Sequence, residues 1–160
     1  MDRLTPERRS AVMKKVKSAG TNIEQTVRRL LHGAGYRYRV NTKGIPGRPD
    51  LVFSARRKAI FVHGCFWHGH NGCKRGNLPV TRREFWSTKI DRNKLRDSVT
   101  NEQLAALGWS VLVLWQCELS DQERLMARLR DFLGHPKLRR HRAQVLPSDG
   151  KESEPVEVDE

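Results

Sequence analysis

At 160 residues the chain is long enough for one domain with its own core and too short for two. Its 31 lysines and arginines outnumber 18 acids, a net charge of +13, so nucleic acid is the natural partner, because neutralised phosphates release counterions. No run reaches the ~20 apolar residues that cross a bilayer and no apolar leader opens the chain, so three cysteines point to the cytoplasm and to metal binding rather than disulfides.

Residues 1–20 form a basic arm whose stretch 5–17, opening on Thr5 and Pro6, reads as a helix. A central domain is expected over 21–135. It begins with a helix over 22–32, where Ile23, Val27, Leu30 and Leu31 make an apolar stripe and Gly33 ends it. Residues 36–40 alternate like a half-buried strand. A turn over 44–49 leads into the apolar run 50–53, and Arg56, Arg57 and Lys58 turn the chain back into 59–62. Both runs look like central strands covered on two faces. Thr81 and Glu84 have capping-box spacing, and a long helix follows over 87–107 with Gly108 as its stop. Residues 109–115 read as another buried strand, and Ser120 with Glu123 caps a last helix through Leu133. The order α-α-β-β-β-α-β-α, with a helical crossover between strands, predicts an α/β fold: a mixed sheet with helices on both faces. The remainder, 136–160, reads as a flexible tail. From 148 it holds six acids and one lysine, net −5, which leaves +18 on residues 1–147.

The densest chemistry lies at 63–73, where three histidines, two cysteines and two aromatics share eleven positions. Two of its thiols and one imidazole, completed by Cys117, make the closed four-coordinate set that structural Zn²⁺ prefers. As single residues, Asp50 reads as a turn aspartate, Glu24 as a solvated first-turn acid, and Phe66 and Trp67 as core. A hairpin changes that reading of Asp50. It sets the start of one strand beside the end of the next, so Asp50, His63 and His68 are expected to converge. Phosphodiester hydrolysis needs such a group: a hard oxygen ligand for Mg²⁺ and an imidazole that titrates near neutrality.

The string Gly47, Arg48, Pro49, Asp50, followed by Phe61 to His70, then Thr81 to Trp86, Leu107 to Trp109 and Trp115 to Cys117, resembles the very short patch repair DNA mismatch endonucleases. The likeness covers roughly residues 5–135. It implies a restriction-endonuclease-like fold with a structural zinc site. It also implies Mg²⁺-dependent nicking of duplex DNA on the 5′ side of the thymine in a T·G mismatch, the product of 5-methylcytosine deamination. Position by position, it makes Asp50 the Mg²⁺ ligand with the Val62 carbonyl as a second. His63 and His68 become catalytic, His68 against metal-bound water, with Glu24 as an accessory acid. Zinc falls to Cys65, His70, Cys73 and Cys117, with His68 the alternative to His70. Phe66, Trp67 and Trp86 match aromatics that wedge into the base stack, while Met13 in the arm reaches the opposite groove. Val62 stands where relatives can have threonine, so this chain offers only the carbonyl there. The resemblance further implies a monomer in a bacterial cytoplasm, nucleoid-associated on DNA, beside other mismatch-repair proteins.

Two other readings fit the same residues. One is a Mg²⁺-dependent nuclease of this fold with another DNA substrate. The other, from charge and cysteines alone, is a non-catalytic, zinc-stabilised nucleic-acid binder.

Overall fold

The computed structural model describes residues 21–136 together with Arg8; the expected helix over 5–17, Met13 and the acidic tail lie outside the described residues. Helix α1, Asn22–Gly33, starts at Thr21 with a reciprocal capping box: the Thr21 hydroxyl accepts from the Glu24 amide, and the Glu24 carboxylate accepts from the Thr21 amide. Such a cap stabilises a helix by about 1 kcal/mol. Glu24 is therefore not the solvated acid expected from its position alone. It is only 4% exposed.

Strand β1, Leu51–Phe53, and strand β2, Lys58–His63, form an antiparallel hairpin in the register Leu51↔Ile60, Val52↔Ala59 and Phe53↔Lys58. Arg57, at φ 49°, takes the left-handed conformation that closes the turn. Strand β3, Ser110–Trp115, lies parallel to β2, from Lys58↔Ser110 to His63↔Trp115. The long helix α2, Arg83–Ala106, makes the crossover that a parallel pair requires. Helix α3, Gln122–Leu133, follows. The result is a three-stranded mixed sheet in the order β1-β2-β3 flanked by helices.

One sheet face, with Leu51, Phe53, Ile60, Val62 and Leu114, packs with Val27 and Leu31 of α1 and with Leu125, Leu129 and Leu133 of α3. By strand alternation Ala59, Phe61 and His63 point the other way. A Cβ added at Gly47 would meet both the Phe61 ring and Thr100 of α2, so α2 covers this second face.

Several local expectations change. Residues 36–40 form only an isolated bridge, Arg39 with Val52, and not a strand. Their alternation serves packing instead, since Tyr36 and Tyr38 set their rings edge-on to Phe53. The Tyr36 hydroxyl donates to the Gly134 carbonyl, and Tyr38 donates to that of Arg28. Helix α2 starts at Arg83, four residues earlier than expected, and its N-cap is Arg82 in a left-handed conformation with no side-chain cap bond. The capping box read from Thr81 and Glu84 is not formed. Asp121, rather than Ser120, caps α3 by accepting from the Arg124 amide; the Ser120 hydroxyl donates to the Cys117 carbonyl. Among the described residues no helix is long and apolar enough to cross a membrane.

Candidate active site and metal centre

At the open end of the β1–β2 hairpin the chain leaves Pro49 and delivers Asp50 beside the last residues of β2. The Val62 amide donates to Asp50 Oδ2 at 2.7 Å, extending the hairpin pairing through a side chain. An extended residue directs its amide and carbonyl to the same edge, so the Val62 carbonyl also faces the side where Asp50 sits. Burial is the main reason that the Asp50 carboxyl rises from 3.8 to about 6. Nearby Glu24 raises it further, while the Val62 amide and Arg28 work against the shift. A carboxylate made costly by desolvation and a second acid is one that gains from a bound cation.

Asp50 opens into a cleft of about 520 Å³ whose walls include Glu24, Arg48, His63, His68, Arg96 and Asp97. The three groups expected to converge thus share one cavity. His63 and His68 stack with ring centroids 3.7 Å apart and planes at 11°. His68 Nδ1 lies 2.6 Å from Asp97 Oδ2, whereas His63 Nδ1 lies 4.0 Å from the same oxygen. A carboxylate at Nδ1 selects the tautomer protonated there, which leaves Nε2 free to accept a proton. His63 is only 7% exposed. Burial, then the neighbouring His68, brings its imidazole down to about 4, against the pull of Asp97, so it is neutral at neutral pH.

Asp97 is the site residue that sequence reasoning missed. It sits in an α2 segment crowded with lysines and arginines, where an acid reads as part of a solvated face. The available signal is spacing. Trp86, Ile90, Asn93 and Asp97 recur every three or four residues, and all reach the 64–72 loop or its aromatics. A Cβ on Gly69 would fall 2.5 Å from Ile90 Cγ2, the Asn93 amide donates to the Trp67 carbonyl at 2.8 Å, and Asp97 meets His68. Gly69 is required there twice over, by that close approach and by its φ of +60°.

A second group lies beside the cleft. One ligand atom each from Cys65, His70, Cys73 and Cys117 falls within 4.8 Å of all the others. Cys117 Sγ stands 3.4 Å from His70 Nδ1, whereas His68 is directed to Asp97. No disulfide joins the three thiols. Burial, then Cys65 and Cys73, pushes the Cys117 thiol up to about 11. The Cys73 thiol is instead lowered, first by the Arg75 amide. A Cys₃His set is what Zn²⁺ takes in closed sites. This cluster can hold a metal ion.

The aromatics form one patch. Phe66, Trp67 and Trp86 lie 5.2–5.9 Å apart in edge-on contacts, and Phe85 adds a fourth ring 5.2 Å from Trp86. Phe66 and Trp67 are half-buried, while Trp86 is 7% exposed and forms the floor. Phe85, at 48%, is the most open. Arg82 and Lys89 place cations over these rings, which suits a polyanionic partner.

A family model described as DNA mismatch endonuclease Vsr matches residues 1–75. The type II nicking enzyme V.XorIIP of Xanthomonas oryzae pv. oryzae is 55% identical over 132 residues, which cover 82% of this chain and 96% of that protein. The type II nicking enzyme V.NmeAIP of Neisseria meningitidis serogroup A is 41% identical over 135 residues, with the same two coverages. The DNA mismatch endonuclease Vsr of Escherichia coli is 44% identical over 117 residues, covering 73% of this chain and 74% of that protein.

Proposed function

Because the chain belongs to the DNA mismatch endonuclease Vsr family, we propose that it nicks one strand of duplex DNA on the 5′ side of the thymine in a T·G mismatch, initiating very short patch repair. Endonuclease action on DNA follows from its relatives; the mismatch, the metals and the residue roles are our reading. The observation that carries it is one cleft lined by Asp50, His63 and the His68–Asp97 pair, beside an aromatic patch on a basic body. The hairpin, the parallel third strand and the helices on both faces support a restriction-endonuclease-like frame.

Asp50 and the Val62 carbonyl would hold Mg²⁺, which supplies charge stabilisation at the phosphoryl oxygens and an acidified water. His68 Nε2 takes the proton of the attacking water, while Asp97 fixes its ring and stabilises the cation that forms. His63, neutral and stacked on His68, limits the rotation of that ring. Glu24 lies at the cleft wall as an accessory acid, and Arg48 and Arg96 offer donors to the backbone phosphates. Cys65, His70, Cys73 and Cys117 would hold structural Zn²⁺. Phe66 and Trp67, braced by Trp86, wedge into the stack at the mispair while Met13 of the basic arm approaches from the other groove. A mispair lowers the few kcal/mol that unstacking costs, so wedging itself selects damaged sites. The protein acts as a monomer in a bacterial cytoplasm.

Cleavage of a duplex panel with and without Mg²⁺ tests this. A nick 5′ to thymine in the T·G duplex alone is expected. Equal cutting of a matched or differently mispaired duplex points to the second reading, favoured by relatives named as nicking enzymes. No cutting at all by folded, zinc-loaded protein leaves a nucleic-acid binder.

A further inference from the structure

We propose that Trp115 is a positioning residue that couples the Cys/His metal centre to the histidines of the cleft, an inference resting on the roles just assigned to both. Trp115 ends β3 directly opposite His63 in the parallel register. Its indole stacks on His70 with centroids 4.1 Å apart and planes at 4°, and it meets His63 edge-on at 5.4 Å and 78°. His63 in turn stacks on His68 at 3.7 Å, and His68 is held by Asp97 at 2.6 Å. Four rings therefore run without interruption from His70 of the Cys/His cluster to the His68 imidazole in the cleft wall.

The backbone reinforces this route. The Trp115 amide donates to Glu118 Oε2 at 2.7 Å, bracing the Gln116–Ser120 turn that carries Cys117. Trp115 offers no ligand to the metal and no group that moves a proton. What it offers is a rigid plane between two imidazoles, each of which has only two ring torsions to fix. Metal binding locks the His70 ring, the stacked indole takes its plane from that ring, and the indole edge bounds where His63 can lie. Packed rings transmit such constraints because dense interiors have few intermediate arrangements. A leucine at 115 keeps an apolar filler but removes the plane. A phenylalanine keeps the plane.

Histidine side-chain NMR on the full chain, first zinc-loaded and then with Cd²⁺ exchanged for Zn²⁺, reads the coupling without reference to activity. In the wild type the exchange should move the His63 and His68 ring signals. In Trp115→Leu, with metal still bound, those two signals should stay put. Single-turnover nicking by Trp115→Leu should fall about 10–100-fold, the usual effect of losing a support around a metal or catalytic ligand, with duplex Kd unchanged. Trp115→Phe should recover most of the rate, a rescue that a merely space-filling role would not require. Wild-type His63 and His68 signals indifferent to the exchange overturn the proposal, even if Trp115→Leu fails to hold metal. So does a Trp115→Leu variant that nicks at the wild-type rate. Failure of the wild type to cut any duplex sinks the nuclease reading instead, while the NMR response still decides the coupling.

Discussion

The Cys/His centre and the acidic cleft draw on the same eleven residues, yet they are built by opposite rules. The centre gathers soft donors from segments far apart in sequence and closes on itself, with Cys65 wholly buried and no position left over. The cleft stays open and keeps a carboxylate where burial penalises its charge. Along the connecting loop, successive donors alternate in destination: His63 and His68 turn to the cleft, Cys65 and His70 to the centre. A closed, crowded cluster beside an open cleft is the arrangement expected where a site is carried on a rigid support.

Substitutions can test that contrast. The largest expected effect is in the cleft: Asp50→Ala should lower nicking by ~10³-fold or more while duplex binding persists. Nicking by that variant within tenfold of wild type would remove Asp50 from the chemistry. In the centre, Cys117→Ser should release zinc and lower the melting temperature by at least ~10 °C, because binding free energy of the metal is folding free energy. A variant that melts like the wild type would show the centre to be dispensable.

The smallest effect distinguishes the two regions most sharply. Asp50 titrates higher in the folded protein, about 6, than its ordinary 3.8. With Mg²⁺ withheld, its contribution to stability is therefore present below pH 3.8 and lost as the pH rises through about 6. Asp50→Asn should remove that step and make the protein more stable at neutral pH by on the order of 2–3 kcal/mol. Urea denaturation across pH 5–8 measures it; equal slopes for both proteins would mean the carboxylate is not desolvated.

Much of this arrangement could be read from residue order alone. Short apolar runs separated by Arg56–Lys58 specify a hairpin, and hairpin geometry brings Asp50 to the end of β2. The three thiols of the Cys/His cluster stood out because so few residue types bind soft cations, whereas the choice of His70 over His68 came from the family resemblance alone. Helix α2 was harder, since it buries little beyond Trp86, Ile90 and Leu104 over 24 residues and presents no continuous apolar stripe. Asp97 was hidden for that reason, and so was the burial of Trp86, which the resemblance groups with the wedging aromatics. Glu24 shows a different failure. The pattern Thr21 to Glu24 spells a capping box, but burial of its carboxylate depends on Arg28 and on the fold around Asp50, which no local pattern reports.

The separation of His70 from its partner Cys117 by 47 positions has a consequence for synthesis. A ribosome adds roughly 5–20 residues per second, so Asp50, His63 and His68 leave it seconds before Asp97 and Cys117 do. During that interval the nascent chain has neither the clamp on its imidazole nor the thiol that closes its metal knot. An endonuclease of this design has its cleft and its Cys/His cluster complete only once nearly the whole domain has been translated.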